Sequence, residues 1–159
     1  MKSIVIFGGS GYVGKHLVRR LAKNGYKIIV PYQRSVQEAK IRLLGVTGQI
    51  IPFRYNSLND NRLISILIRS DICINLKTTY DKKKGSFDKI IYDFNKKLIK
   101  ILKKNKSLSQ YIFFSGLGVD ENKISTRSKA VFKSEKEALK NIENRVLDRP
   151  LRRDDEDRS

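Results

Sequence analysis

The sequence has very little of the chemistry that builds disulfide frameworks and zinc sites. It holds one cysteine and one histidine among 159 residues. The lone cysteine, Cys73, cannot form an intrachain disulfide, and because it lies in an apolar run we expect it to pack as a small core residue. A structural zinc site needs about four Cys or His ligands, so none can form here, and no metal site is predicted.

Long apolar runs are also absent. No run approaches the roughly 18 residues that are needed to span a membrane, so we expect a chain that does not cross one. The first apolar segment begins close to Met1, which leaves no room for a signal or transit peptide. We therefore expect a cytoplasmic location, peripheral at most to an inner membrane.

Acidic residues are scarce relative to basic ones, 16 against 34, which gives a net charge of +18. Such a charge is typical of nucleic-acid binders and of proteins that lie on anionic membranes. The densest lysine region, residues 77–106, nevertheless sets its lysines opposite an apolar stripe, and no aromatic residues are interleaved with them at a base-stacking spacing. We expect a solvated helix face without specific nucleic-acid binding, and salt-sensitive adhesion to polyanions stays open. The stripe consists of Ile90, Ile91, Phe94, Leu98, Ile101 and Leu102.

Predicted strands and helices alternate along residues 1–144. The strands are expected at 3–7, 26–30, 49–55, 71–76 and 110–114, and helices are expected between and after them. Pro52 indicates an edge or a bulge in the third strand. This alternation predicts one α/β domain, a doubly wound parallel sheet of the Rossmann type. Residues 145–159 hold five arginines and no lysine and lack apolar periodicity, so they are predicted to be a disordered polar tail, either native or the product of a frame change.

The first fourteen residues predict a strand, a glycine turn and a helix in immediate succession. Gly8 would let the chain turn, Gly11 would let backbone N–H groups approach a pyrophosphate, and Gly14 would let the helix lie close to the sheet. The helix N-terminus would then face the anion with its free donors. A tight turn without a ligand is the alternative. Ser10, Tyr12 and Val13 share this segment and are candidate cofactor contacts.

The tip of the second strand bears on the choice of cofactor. Proteins that bind NAD usually carry an acid about 20 residues beyond the glycines, whereas an arginine there accommodates the 2′-phosphate of NADP. Arg34 occupies that position, and no acid occurs between Tyr26 and Gln37. The sequence therefore favours NADP(H) over NAD(H), the alternative being that Arg34 is a solvated loop residue. Loops after the other strands reach the same edge, which adds Asn56, Leu76 and Ser115 as candidate cofactor contacts.

Several segments resemble a known family. The turn 8–14 has the spacing of extended and atypical short-chain dehydrogenases/reductases, and segments 29–34, 44–49, 74–76 and 128–130 are similar to the alpha-subcomplex subunit nine family, nucleotide-binding accessory subunits of respiratory complex I. The resemblance covers about residues 3–143. It implies a structurally used NADPH, complex I subunits or a membrane-associated assembly as partners, and a further C-terminal region beyond this chain.

The same resemblance allows a test for catalytic residues. Reductases of this superfamily use a serine together with Tyr-x-x-x-Lys, and Ser115 and Lys129 fit the serine and the lysine, the latter also as a ribose contact. Ser125 stands where the tyrosine is expected, and an aliphatic hydroxyl is too weak an acid for that role. Tyr80, on the loop after the fourth predicted strand, is the alternative candidate for a tyrosine near the nicotinamide, and nothing else in the sequence supports that role. Lys129 is equally well interpreted as a solvated helix lysine.

Two functions from different classes therefore stay open. The first is a non-catalytic NAD(P)H-binding protein, an accessory or assembly subunit of complex I that NADPH stabilises. The second is an NAD(P)-dependent reductase, epimerase or dehydratase that acts on a carbonyl, quinone or nucleotide-sugar substrate. The replacement of the catalytic tyrosine favours the first.

Overall fold

A parallel sheet with helices between successive strands organises the chain. The computed structural model describes residues 1–45, 48–79, 86–116, 119, 122, 125–142 and, for the main chain alone, 145–148. The strands are β1 (Ser3–Phe7), β2 (Lys27–Tyr32), β3 (Ile50–Arg54), β4 (Ile72–Asn75), β5 (Gln110–Phe114) and β6 (Arg145–Asp148). The helices are α1 (Tyr12–Lys23), α2 (Ser35–Arg42), α3 (Asn61–Arg69), α4 (Phe94–Leu102) and α5 (Thr126–Asn141). A π-helical segment, Asp88–Asp93, leads directly into α4.

The order of the strands in the sheet is β3-β2-β1-β4-β5-β6. The chain runs outward from β1 to β3, returns to place β4 beside β1, and then runs outward again on the other side. At such a reversal the loops that leave β1 and β4 diverge, which opens a crevice at the carboxyl ends of the two strands. This is the predicted doubly wound Rossmann-type fold, so the fold prediction is confirmed.

The central strand β1 is buried on both faces, which explains its continuous apolar sequence. Ile4 and Ile6 belong to the core that α1 and α2 cover, whereas Val5 and Phe7 belong to the core on the side of α3, α4 and α5. All four side chains are at most 1% exposed. Alternate residues of one strand therefore hold the two helix layers in place, and the glycine turn begins from a fixed position.

Helix α4 separates lysines from apolar residues as the sequence predicts. Leu98 and Ile99 are buried, and the lysines of this helix are exposed. Among the described residues, no helix combines the length and the apolar character that crossing a bilayer requires.

Local sequence features account for the position of β3 and for the ends of two helices. β3 lies at the edge of the sheet, where the missing N–H of Pro52 is tolerated. The Asp60 carboxylate accepts a hydrogen bond from the backbone N–H of Arg62 at 2.9 Å and caps α3. Gly25, just beyond α1, has φ of +79°, the left-handed conformation in which glycine commonly ends a helix.

The predicted boundary after residue 144 is wrong for the next few residues. The main chain of Arg145–Asp148 forms β6 and pairs in parallel with β5, from Tyr111 to Phe114. A strand of four residues is too short to show periodicity in the sequence, but its pairing satisfies backbone groups that β5 would otherwise leave open at the sheet edge. The remainder of the predicted tail, 149–159, lies outside the described residues.

Candidate functional site

The glycine turn between β1 and α1 is shaped by close backbone approaches. Gly8 has φ of +81°, and the N–H of Gly11 donates a hydrogen bond to the carbonyl of Gly8 at 2.9 Å. A Cβ atom on Gly14 would lie 2.3 Å from the Gly8 carbonyl oxygen and 2.6 Å from the Gly9 Cα. No side chain fits at Gly14, because α1 starts directly against the turn.

The N-terminus of α1 opens into a cleft of about 510 Å³. Gly11 is the N-cap residue of α1, and within the described part of the chain no side chain caps this end and no acidic residue occupies the first turn. The first N–H groups of a helix lack intrahelical partners and carry a positive partial charge. This end of the cleft is therefore suited to an anion such as a pyrophosphate.

Apart from Gln37 of α2, the remaining wall residues of the cleft lie at the carboxyl ends of three other strands. From the end of β2 come Pro31, Tyr32 and Gln33, from the residue after β3 comes Tyr55, and from the residues after β4 come Leu76, Lys77 and Thr78. The cleft thus lies where the strand order reverses, between the loops after β1 and β4.

Gln37 of α2 connects the glycine turn to the end of β2. Its Nε2 donates a hydrogen bond to the Ser10 Oγ at 3.1 Å. Its Oε1 accepts hydrogen bonds from the backbone N–H groups of Gln33 at 3.2 Å and Arg34 at 3.0 Å. One amide side chain therefore fixes the distance between the two loops that flank the cleft. Gln37 is not among the site residues that were predicted from the sequence.

Lys77 is a second residue that the sequence analysis did not assign. Its ammonium lies 4.1 Å from the centroid of the Phe94 ring, and 3.4 Å from both the Tyr55 hydroxyl and the Gln33 Oε1. Burial lowers the pKa of Lys77 and raises the pKa of Tyr55 to about 12. The signal that could have found Lys77 is its position just beyond a buried strand, at the sheet edge where ligands bind.

Past this cluster the cleft adjoins a second cavity of about 270 Å³. Gln33, Tyr55 and Lys77 line both cavities, and the second one extends over the π-helical segment and α4 as far as Lys89 and Lys97. The cleft therefore continues from the glycine turn, past the end of β2, towards the helix layer of α4.

Seven of the predicted cofactor contacts line the 510 Å³ cleft together. They are Gly8, Ser10, Gly11, Tyr12, Val13, Gly14 and Leu76. Tyr12 is 82% exposed, and its ring meets that of His16 edge to face at the mouth of the cleft.

Two further predicted contacts lie outside the lining of this cleft. Arg34 is exposed at the N-cap of α2, next to the lining residue Gln33. Asn56 is exposed as well and lines a separate cavity beside Arg54 and Arg62, while its backbone carbonyl accepts a hydrogen bond from Gln33 at 3.1 Å. Both residues therefore border the end of β2, on its solvent side.

The two candidate catalytic residues, Ser115 and Lys129, lie in different environments, one buried and one exposed. Ser115 is buried at the end of β5, and its hydroxyl donates a hydrogen bond to the carboxylate of Glu135, which is also buried. Lys129 is exposed on α5, and Ser125 is the exposed N-cap residue of that helix. Tyr80 lies outside the described residues. The Ser115 hydroxyl, which in a reductase would contact the substrate carbonyl, is thus directed into the core.

Comparison with known proteins gives two similar curated relatives, both named NADH dehydrogenase (ubiquinone) 1 alpha subcomplex subunit 9, mitochondrial. The Arabidopsis thaliana protein is 26% identical over 147 residues, and the Dictyostelium discoideum protein is 30% identical over 149. Each alignment covers 91% of this chain, but the chain spans only 37% and 40% of the length of these relatives. The homology to this subunit that the sequence segments predicted is confirmed.

These relatives overturn the prediction of a cytoplasmic location, because both are named as mitochondrial proteins. That prediction was drawn from the spacing between Met1 and the first strand, and a chain that matches only part of its relatives carries no information on what precedes or follows the matched part.

A solved structure supports the fold independently of the sequence. The UDP-Glc/GlcNAc 4-epimerase from Campylobacter jejuni superposes with a TM-score of 0.74 at 18% identity, over 94% of this chain and 53% of the epimerase chain. A model of the NAD dependent epimerase/dehydratase family matches residues 4–116, a range that holds the glycine turn, the cleft and the first five strands. The chain therefore belongs to the NAD dependent epimerase/dehydratase family.

Proposed function

We propose that this chain binds NADP(H) in the 510 Å³ cleft and serves as a non-catalytic accessory or assembly subunit of a respiratory complex I. The observation that carries the binding proposal is the glycine turn, where a Cβ on Gly14 would lie 2.3 Å from the Gly8 carbonyl oxygen. That approach brings the uncapped N-terminus of α1 to the wall of a cleft large enough for a dinucleotide.

The residues around the cleft fit the pyrophosphate and the adenosine half of a dinucleotide. The backbone of Gly11 to Gly14 would hold the pyrophosphate, and the end of β2 would meet the adenosine ribose, which is where this fold places the two groups. A nicotinamide cofactor would supply hydride transfer if a substrate were present.

The preference for NADP(H) is supported by charge at the end of β2. No carboxylate occurs between Pro31 and Arg34 to accept hydrogen bonds from the ribose hydroxyls. The nearest acid along the chain, Glu38, accepts hydrogen bonds from the Tyr32 hydroxyl and from Arg42, which lower its pKa. Among the described residues that line the cleft there is no carboxylate, whereas Lys77 lines it and Arg34 follows the lining residue Gln33, as a 2′-phosphate would require.

The absence of catalysis is supported by the surroundings of the remnant residues. The Ser115 hydroxyl is bonded to Glu135 within the core, and Ser125 stands where a catalytic tyrosine is expected. Association with complex I is supported by the two relatives, which are named as subunits of NADH dehydrogenase (ubiquinone).

Thermal unfolding with and without NADPH and NADH tests the binding proposal. A ligand at 100 times its Kd stabilises the folded state by about 2.7 kcal/mol, so we expect a clear rise in Tm with NADPH and a smaller one with NADH. No shift with either dinucleotide would refute the proposal.

The alternative function is an epimerase or reductase, which the family supports. It predicts turnover. A reductase would oxidise NADPH with a carbonyl or quinone substrate, which absorbance follows, whereas an epimerase would return the hydride to its substrate, so the conversion of a nucleotide sugar should be measured directly. The non-catalytic proposal predicts none above the rate without protein, and sustained turnover with any of the three would favour the enzyme.

A further inference from the structure

Lys77 is a cation in the cleft wall that has no charged partner in the part of the chain that the structure describes. Its side chain is half-buried, and among the described carboxylates none forms an ion pair with it. Asp93 lines the adjoining cavity without pairing with it. An ammonium taken partly out of water without a counter-charge costs free energy, and an incoming anion would recover that cost.

The position of the ammonium is fixed by aromatic and backbone contacts. It lies over the face of Phe94 at 4.1 Å and near the Tyr55 ring at 6.0 Å, which is favourable cation–π geometry. The Lys77 backbone N–H donates to the Asn75 Oδ1 at 3.1 Å. Asn75 is itself buried and donates to the Asn95 Oδ1 at 3.0 Å. Lys77 is thus anchored at both its backbone and its head group.

The ammonium reaches from the end of β4 to the end of β2, where it lies 3.4 Å from the Gln33 Oε1. Both residues line the cleft, whereas the neighbouring Arg34 is exposed and lies outside the lining. In this fold the adenosine ribose lies at the end of β2. A phosphate on that ribose would therefore meet Lys77 from within the cleft and Arg34 from the solvent side.

We propose that Lys77 binds the 2′-phosphate of NADP(H) and is the main determinant of the preference for NADP(H) over NAD(H). This inference rests on the proposed dinucleotide site and identifies the residue that would bind the 2′-phosphate there. Lys77 acts as a binding residue. Its ammonium would form a charge-assisted hydrogen bond with an oxygen of the 2′-phosphate, a group that NADP(H) carries and NAD(H) lacks.

The test compares Kd values for NADPH and NADH, and for the fragments 2′,5′-ADP and 5′-AMP, by calorimetry at one fixed salt concentration. Lys77→Met keeps an unbranched apolar stem against Phe94 and removes the charge. We expect it to weaken NADPH and 2′,5′-ADP by about tenfold or more. NADH and 5′-AMP should change less than about twofold, because they lack the phosphate. Lys100→Met, on the solvated face of α4, removes the same charge elsewhere and should leave all four Kd values near those of the parent.

Equal losses for NADPH and NADH in Lys77→Met would overturn the assignment, because they would indicate a contact with the pyrophosphate or a damaged cleft. An unchanged NADPH Kd would overturn it as well. If Lys77→Met does not fold by circular dichroism, Lys77→Gln, which keeps a polar head group, is subject to the same criteria. A parent protein that binds neither dinucleotide refutes the proposed function, whereas a parent that prefers NADPH and a variant that keeps that preference refute the role of Lys77 alone.

Discussion

The hydroxyl of Ser115 donates a hydrogen bond to the carboxylate of Glu135, and both side chains are buried between β5 and α5. Ser115 ends a strand whose carboxyl end faces the ligand edge of the sheet, the position from which a reductase serine would contact its substrate. Its bond to Glu135 gives it a structural role in this chain.

That role predicts a loss of stability without a loss of binding. Ser115→Ala removes a donor from a buried carboxylate, which should lower the free energy of unfolding by about 1–3 kcal/mol. The NADPH Kd should stay within about twofold of the parent value. Urea unfolding and calorimetry measure the two quantities. Ser65→Ala, on the exposed face of α3, is the matched control and should be close to neutral. A stable Ser115→Ala protein with weakened NADPH binding would instead place Ser115 in the cofactor site.

The turn before α1 predicts a loss of both binding and stability when Gly14 is replaced. Gly14→Ala would set a methyl group 2.3 Å from the Gly8 carbonyl oxygen, so the start of α1 must move away from the turn. We expect NADPH binding to weaken by more than about tenfold and stability to fall by about 1–3 kcal/mol. Gly116→Ala is the control, because its added methyl group meets nothing closer than 3.5 Å. Unchanged binding in Gly14→Ala would show that the turn does not hold the pyrophosphate.

Arg34 makes a separate prediction about cofactor preference. Replacing it with aspartate puts a carboxylate at the end of β2, where it would repel a 2′-phosphate and accept ribose hydroxyls. The ratio of NADH to NADPH affinity should rise by about tenfold or more. Arg19→Asp, which makes the same charge change on the exposed side of α1, should leave the ratio unchanged. Titration of each variant with both dinucleotides measures this ratio of affinities. An unaltered ratio in Arg34→Asp would mean that Arg34 is a solvated loop residue.

Stability at acid pH should depend on Asp71. Its Oδ2 accepts hydrogen bonds from the backbone N–H of Ser3 at 2.7 Å and from the Ser3 hydroxyl at 3.0 Å. These bonds, the backbone one foremost, lower the pKa of Asp71 below its ordinary value of 3.8. Because the folded pKa lies below the unfolded one, the stabilisation is complete above about pH 4 and is lost as the pH falls through the folded pKa.

Asp71→Asn is the variant that tests this dependence. It should lower the free energy of unfolding by about 1–2 kcal/mol at neutral pH, and the difference from the parent should shrink below about pH 4. Urea unfolding between pH 2.5 and about pH 7 provides the comparison. A constant difference across that range would contradict the assignment of the pH dependence to this carboxylate.

The sequence predicted those features that depend on neighbours along the chain. The apolar run of β1 and the glycine turn after it are local signals, and they placed this strand and the turn that lines one end of the cleft. The predicted contact at Arg34 followed from counting residues beyond the glycines. Counting placed that residue at the right strand end but could not show that it lies outside the cleft lining.

Features that depend on contacts between residues distant in the sequence were not predicted. Lys77 enters the cleft because its long side chain crosses from β4 to β2 over Phe94, a residue 17 positions further along the chain. Glu135 pairs with Ser115 because α5 buries an acidic residue in its apolar stripe. Its spacing of three from Ala138 and four from Val131, both buried, is the signal that could have placed it.

The three hydrogen bonds of the Gln37 amide have a consequence for how tightly a ligand can be held. They join the Ser10 hydroxyl to the backbone of Gln33 and Arg34, so the two loops that flank the cleft are ordered together when the chain folds. A dinucleotide that spans both loops then has less conformational entropy to remove on binding. The cleft is in this sense preorganised, because Gln37 sets the separation between the glycine turn and the end of β2 before any ligand binds.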